Sequence, residues 1–211
     1  MPPLRILIAD DHAVVRAGLR TLLESRTGWE VCAEAVDGRD AVDKAAKLKP
    51  NVAVLDIGMP LLNGVEATRR IRESSPNTEV LILTMHESDE LVHQVVEAGA
   101  RGYILKDDAD RVLLAAVDSL RYHKPYFSTR VATSAHDPSD PSAATRPRLT
   151  PREREILQLL AEGKANKEVA SLLGISVNTA EAHRANIMLK LNVHSFAELV
   201  HYAVRNKIIK T

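Results

Sequence analysis

Two adjacent carboxylates, Asp10 and Asp11, a third at Asp56, the hydroxyl of Thr84 and the ammonium of Lys106 each follow a short apolar run. The runs cover residues 6–9, 52–55, 80–83 and 102–105. If they are strands of one parallel sheet, the five side chains converge on one edge, because ligands of doubly wound sheets bind outside the carboxyl ends of the strands. Three carboxylates suit a hard divalent cation such as Mg2+, which takes oxygen ligands and keeps several waters. A carboxylate beside such a cation can attack phosphorus and form an acyl phosphate. The cation and Lys106 then offset charge on the phosphoryl oxygens, and Thr84 can donate a hydrogen bond to one of them. No glycine-rich phosphate loop accompanies the set. Taken singly, an Asp can cap a helix and a Lys can pair with a surface acid, but five such residues at the ends of four strands favour a joint function.

The elements that must hold these groups are legible as period. Continuous apolar runs, with a further one at 31–33, indicate strands buried on both faces, as in a parallel sheet. Between the runs, apolar residues recur at three- and four-residue spacing: Val14, Val15, Leu19, Leu22 and Leu23, then Ala41, Ala45 and Leu48, then Val65, Ala67 and Ile71. The pattern continues with Leu91, Val95 and Val96, and with Val112, Leu113, Ala116 and Leu120. Five βα units predict an α/β doubly wound (βα)5 parallel sheet over residues 1–124. Residues 125–147 are rich in Pro, Ser and Ala with no apolar period, and read as a flexible linker.

From Leu149 onward only helical patterns remain, predicting a small all-α domain over 148–211. Thr150, Pro151 and Glu153 form a capping box with a proline at the first helical position. Residues 166–173 and 179–191 read as two helices separated by a turn at 174–177, with Ser176 or Asn178 as cap of the second. A short turn of this kind suits a helix-turn-helix, whose second helix enters the DNA major groove. The polar face of that helix carries Asn178, Thr179, Glu181, Ala182, Arg184, Ala185 and Met188; Ala180, His183, Ile187 and Leu191 face the core. Lys164, Asn166, Lys167 and Lys190 flank it and can reach phosphates. Ser195 and Glu198 form a second capping box before a last helix.

The chain has 211 residues, 28 Lys and Arg against 28 Asp and Glu, and 45% hydrophobic residues. Zero net charge hides an asymmetry: residues 1–124 carry 16 basic against 20 acidic residues, and residues 148–211 carry 10 against 6. Only the second half is expected to meet a polyanion. The single cysteine, Cys32, excludes an internal disulfide and reads as a small buried strand residue. Eight histidines without ligand spacing predict no transition-metal site. No apolar window reaches the span of a membrane helix and the N-terminus lacks a signal-peptide layout, so a cytoplasmic protein without a membrane partner is expected.

The order Asp10-Asp11, Asp56, Thr84, Lys106 resembles the receiver domain of two-component response regulators over residues 4–124. The resemblance implies that Asp56 accepts a phosphoryl group from a sensor histidine kinase or a small acyl phosphate. It implies that Asp10, Asp11, Asp56 and the Gly58 carbonyl hold Mg2+, that Lys106 contacts the phosphoryl group, and that Thr84 and Tyr103 are the switch pair. Tyr103 can equally be plain core. Asp107 stands where many receivers have proline, and Gly58 and His86 occupy positions that tune phosphoryl lifetime.

Segments 149–157 (LTPREREIL), 163–170 (GKANKEVA) and 179–188 (TAEAHRANIM) resemble the LuxR-type domain of the NarL/FixJ class. That resemblance implies that the helix over 179–191 reads double-stranded DNA at a promoter inverted repeat. It also implies that the last helix pairs two copies through Ala197, Val200, Ala203 and Val204, alternatively an internal packing stripe. RNA polymerase is a candidate further partner. Many relatives carry Val and Lys where this chain has Ala180 and Glu181. An acid facing DNA accepts from cytosine N4 and otherwise costs affinity, so Arg184 is the stronger candidate reader.

The combined expectation is a DNA-binding transcription regulator switched by phosphorylation through dimerisation, not an enzyme. Two alternatives stand beside it. A phosphotransferase or phosphatase needs an acid/base Asp two residues after the nucleophile, and Gly58 occupies that place. A phosphorylation-independent regulator or protein-interaction adaptor would keep the same fold.

Overall fold

The computed structural model describes residues 2–85, 89–127 and 149–209. Residues 128–147 of the expected linker, and His86, lie outside them. The chain forms two compact units.

The N-terminal unit alternates strands and helices: β1 (Leu4–Ala9), α1 (Ala13–Glu24), β2 (Trp29–Ala35), α2 (Gly38–Leu48), β3 (Val52–Asp56), α3 (Gly64–Ser74), β4 (Glu79–Thr84), α4 (Asp89–Glu97), β5 (Gly102–Leu105) and α5 (Ala109–Arg121). A two-residue strand, β6 (Tyr126–Phe127), follows. The strands pair in parallel in the order β2-β1-β3-β4-β5-β6.

Successive strand residues point to opposite faces. Ile6, Ile8, Val52, Val54, Leu81, Leu83 and Ile104 pack with Leu19 and Leu23 of α1 and with Leu113, Ala116, Val117 and Leu120 of α5. The alternate residues Leu7, Ala53, Leu55, Val80, Ile82 and Tyr103 are equally buried, as are Ala41, Ala45, Ile71 and Val95 of α2, α3 and α4. Both faces are therefore covered, which is why the runs read as continuous.

Two expectations change. Tyr126 and Phe127, read as the start of the linker, belong to the sheet: Gly102 pairs with Tyr126 and Tyr103 with Phe127. Two aromatic residues suit a strand but are too few to show a period. Cys32 is half-buried instead of buried, because it is the extra residue of a bulge: Ile6 pairs with Val31 and Leu7 with Ala33. Its thiol donates to the Ile6 carbonyl at 3.4 Å, and burial pushes its pKa up, which makes it a weak nucleophile.

The C-terminal unit is helical: α6 (Pro151–Ala161), α7 (Asn166–Leu173), α8 (Val177–Leu191) and α9 (Phe196–Arg205). Ile156, Leu157, Leu159 and Leu160 of α6 form its core with Val169, Ala170, Ala180, Ile187, Leu191, Leu199 and Ala203. The Thr150–Glu153 capping box forms as read. Gly174 ends α7 at φ +63, the left-handed region glycine enters without strain, and Ser176 caps α8 by accepting from the Thr179 N–H. Ser195 accepts from the Glu198 N–H, but Glu198 Oε2 returns to the His194 N–H at 2.7 Å. No helix among the described residues is long and apolar enough to cross a membrane.

Candidate functional site

The strand order places β1 between β2 and β3, so the connections leave β1 and β3 on opposite faces and open a crevice at their carboxyl ends. Asp10 stands directly after β1 and Asp56 ends β3; both are buried, Asp10 completely. Lys106 follows β5 and lies between them, its Nζ 2.5 Å from Asp10 Oδ2 and 3.0 Å from Asp56 Oδ1. Thr84, buried at the end of β4, pairs in register with Leu105, next to Lys106. Asp11 is exposed at the rim and Gly58 half-buried, two residues beyond Asp56. Tyr103 is completely buried on β5. The expected cluster is thus assembled, with Tyr103 inside the core.

Two buried carboxylates share one ammonium, so Asp10, Asp56 and Lys106 together carry net negative charge. Such an arrangement is costly unless a further cation joins it. Asp10, Asp11 and His12 each offer one ligand atom, all within 4.8 Å of one another. Hard oxygen donors with excess negative charge at the carboxyl edge of an open parallel sheet fit a divalent cation such as Mg2+.

Two neighbours escaped the sequence reading. His12 immediately precedes α1, and its Nδ1 lies 3.1 Å from Asp10 Oδ1 and 3.0 Å from Asp11 Oδ1. Its backbone N–H donates to the same Asp10 oxygen at 2.9 Å. Arg16, one turn later, donates from Nη1 to the Asp10 carbonyl at 2.8 Å and from Nε to Glu34 at 3.1 Å. Hydrogen bonding to Arg20 first, and to Arg16, holds the Glu34 carboxyl below its usual range against the effect of burial. The only sequence signal was position, since His12 adjoins the carboxylates and Arg16 follows it by four residues.

In the C-terminal unit, Asn178, Glu181, Ala182, Ala185, Asn186 and Leu189 are exposed at helical spacing and form one stripe along α8. Leu189 is 81% exposed at its far end. Thr179 is exposed too, its hydroxyl 2.8 Å from that of Ser176. Met188 is half-buried beside the stripe. Arg184 is half-buried at the margin, with its guanidinium carbon 5.8 Å from the centroid of the Phe196 ring. Lys167 is exposed, and Lys164 and Asn166 are half-buried near the start of α7.

Two groups of sequence-predicted residues have further contacts within their own unit. Lys190 donates to both oxygens of Glu153, at 2.7 and 2.8 Å, so it ties the end of α8 to the start of α6 instead of standing free for a phosphate. Ala203 is completely buried in the core of its own unit, so Ala197, Val200, Ala203 and Val204 are not one exposed face. At about 100° per residue Ala203 lies at one edge of the arc these four residues span, and that edge turns inward, as the alternative of an internal packing stripe expects. Ala197 is exposed and Val200 and Val204 are half-buried.

Residues 6–118 match the model of the response regulator receiver domain, and residues 147–203 match that of bacterial regulatory proteins of the luxR family. The chain is 42% identical over 215 residues to the oxygen regulatory protein NreC of Staphylococcus haemolyticus (strain JCSC1435), covering 98% of this chain and 99% of the relative. Among solved structures it resembles RcsB of Salmonella enterica serovar Typhimurium bound to promoter rprA with the phosphomimetic BeF3−, with TM-score 0.66, 28% identity and coverage of 95% and 98%. It also resembles a LuxR-family two-component response regulator from Aurantimonas sp. SI85-9A1, with TM-score 0.60 and 35% identity over 63% of this chain and 94% of that one.

Proposed function

The chain belongs to the two-component response regulators that join a receiver domain to a luxR-type DNA-binding domain, and from that premise we propose how its own residues turn phosphorylation into DNA binding. It is a transcription regulator, and its catalysis is confined to accepting and slowly hydrolysing its own phosphoryl group. Asp56 is the phosphoacceptor. One of its carboxylate oxygens bonds to phosphorus as the donor's phosphorus–nitrogen or phosphorus–oxygen bond breaks, and the electron pair leaves with the donor. The donor is a phosphohistidine on a sensor kinase or a small acyl phosphate.

Asp10, Asp11, Asp56 and the Gly58 carbonyl are the ligands for Mg2+, which supplies positive charge against the phosphoryl oxygens. Lys106 exchanges its contact with Asp56 Oδ1 for one with the phosphoryl group. Thr84 donates a hydrogen bond to it, and Tyr103 repacks behind Thr84. The added charge, about −1.5 to −2, biases two arrangements of this face. The observation that carries this reading is the buried cluster of Asp10, Asp56 and Lys106 at the crevice of the sheet.

We place the receiver at 1–124 extended by β6, the linker after Phe127 and up to 147, and the DNA-binding domain at 148–211. The exposed stripe of α8 enters the major groove, with Asn178, Thr179, Glu181, Ala182 and Ala185 at base edges. Lys164, Asn166 and Lys167 contact phosphates. Two phosphorylated copies pair on a promoter inverted repeat through Ala197, Val200 and Val204, within reach of RNA polymerase in the cytoplasm.

The test is binding to a random-site duplex pool, with and without Mg2+ and a phosphoryl donor, by the parent chain and by Asp56→Ala. Enrichment of one sequence that strengthens with donor in the parent alone is the expected result. Equal binding under all conditions would refute the switch and leave a phosphorylation-independent regulator.

A further inference from the structure

The stripe of α8 that is exposed along its whole length does not include Arg184. Residues 178, 181, 182, 185 and 189 stand outward and Ala180, Ile187 and Leu191 stand inward, with Arg184 half-buried on the border between them. A side chain on that border does not share the direction of the exposed stripe. Its guanidinium is held over the ring of Phe196, the first residue of α9, at 5.8 Å from the centroid. That is within the range of a cation–π attraction.

Phe196 is 42% exposed and is absent from the core cluster of its own unit. Internal packing therefore does not account for a large aromatic at this place. Its backbone is fixed, because Ser195 caps α9 and Glu198 fastens the His194 N–H. The ring is a platform with a fixed backbone anchor, attached to a different helix from the one that carries the arginine. A guanidinium held over such a platform loses part of its side-chain freedom before any ligand arrives, and its N–H groups can still meet a phosphate oxygen.

We propose that Phe196 is a positioning residue for DNA binding. It braces Arg184 as a clamp on the sugar–phosphate backbone beside the groove that α8 occupies. The proposal rests on the DNA-binding reading of α8 and departs from the sequence expectation that Arg184 reads a base. Preorganisation adds affinity without adding sequence preference, because a phosphate is the same at every base pair.

The experiment uses the full-length chain and two duplexes: the one enriched from the random pool, and one of unrelated sequence. Parent, Phe196→Ala, Phe196→Leu, Phe196→Trp, Arg184→Met and the double variant Phe196→Ala/Arg184→Met are titrated at several salt concentrations. Phe196→Leu keeps apolar bulk without a π face, which separates the platform from packing, and thermal melting shows that each variant is folded. Phe196→Ala and Phe196→Leu are expected to weaken both duplexes equally, roughly two- to fivefold per bound copy, with the salt slope unchanged because the charge remains. Arg184→Met also lowers the salt slope by about 0.9 per bound copy. The double variant matches Arg184→Met alone, and Phe196→Trp retains parental affinity.

The proposal is overturned if folded Phe196→Leu binds like the parent, if the two substitutions add, or if Arg184→Met weakens one duplex only, which would make Arg184 a base reader. Failure of the parent to bind either duplex would overturn the DNA-binding reading as well, so the two failures are distinguishable.

Discussion

At the scale of residues, the charge count of the acidic cluster makes a prediction of opposite signs. Lys106 has 11% side-chain exposure and compensates two buried carboxylates at once. Replacing it by Met takes the shared ammonium from both, and breaking a buried pair on one side costs about 3–5 kcal/mol. Asp56→Asn instead removes the surplus carboxylate and leaves Asp10 and Lys106 as a balanced pair, so it should stabilise the receiver by about 1 kcal/mol in the presence of a chelator. Thermal melts of the two variants should therefore move in opposite directions, and movement in the same direction would contradict the charge balance described. The same count governs metal: saturating Mg2+ at 100 times its Kd should stabilise the parent by about 2.7 kcal/mol, and Asp56→Asn by clearly less at that concentration. Sequence alone exposed this cluster because each member ends a strand, and strand ends share an edge. It concealed His12 and Arg16, whose roles depend on how α1 turns back over β1. It did not show the Lys190–Glu153 tie, since a lysine beside a DNA-reading helix and a lysine holding a capping box have the same local signature.

At the scale of elements, two junctions set where the working residues stand. Gly64 begins α3 against the end of β3, and a Cβ there would lie 2.3 Å from the Asp56 carbonyl oxygen and 2.9 Å from Ile57 Cα. Both are backbone atoms, so either α3 or the Asp56 segment must move. Gly64→Ala is expected to cost about 1–3 kcal/mol and to slow phosphorylation of Asp56 by displacing it. A variant that melts and phosphorylates like the parent would show that α3 does not constrain the acceptor. The second junction is the Lys190–Glu153 tie between α8 and α6. Burial pushes the Glu153 carboxyl up, but hydrogen bonds from Lys190 and Thr150 outweigh it and hold the carboxyl below its usual range. A carboxyl lowered on folding contributes stability above its unfolded value, about 4.3, and loses it as pH falls through the folded value. Lys190→Met should thus destabilise the DNA-binding domain at pH 7 by about 0.5–1 kcal/mol, allowing for solvent screening of the half-exposed lysine. The gap from the parent should close as the solution is acidified below about pH 4. A gap that persists or widens in acid would show that Lys190 acts through something other than this carboxylate. Helix and strand positions were legible because their periods run over many residues; β6, two residues long, has no period to show, and the Cys32 bulge is a register event between strands that one strand cannot reveal.

At the scale of the whole molecule, the two units differ in charge by eight, from 16 basic against 20 acidic residues in 1–124 to 10 against 6 in 148–211. The receiver's net −4 opposes the approach of DNA while the second unit's net +4 favours it, and both effects fade with salt. The second unit has its own core and its own caps, so residues 148–211 are expected to fold when separated. Freed from the receiver, they should bind duplex DNA more tightly than the full unphosphorylated chain at low salt, with the advantage shrinking toward physiological salt if it is purely electrostatic. An advantage that survives high salt would instead mean that the unphosphorylated receiver restrains the DNA-binding domain by contact. The phosphoryl group makes the receiver more negative, so electrostatics alone predicts weaker DNA binding after phosphorylation. A donor-dependent gain in affinity must therefore arise from a change of state, either release or pairing of two copies. Sedimentation with and without donor separates these, because pairing raises the mass at the same protein concentration at which DNA affinity rises, and release does not. A donor that weakened DNA binding while leaving the mass unchanged would show that charge dominates, and would refute phosphorylation as an activating switch in this chain.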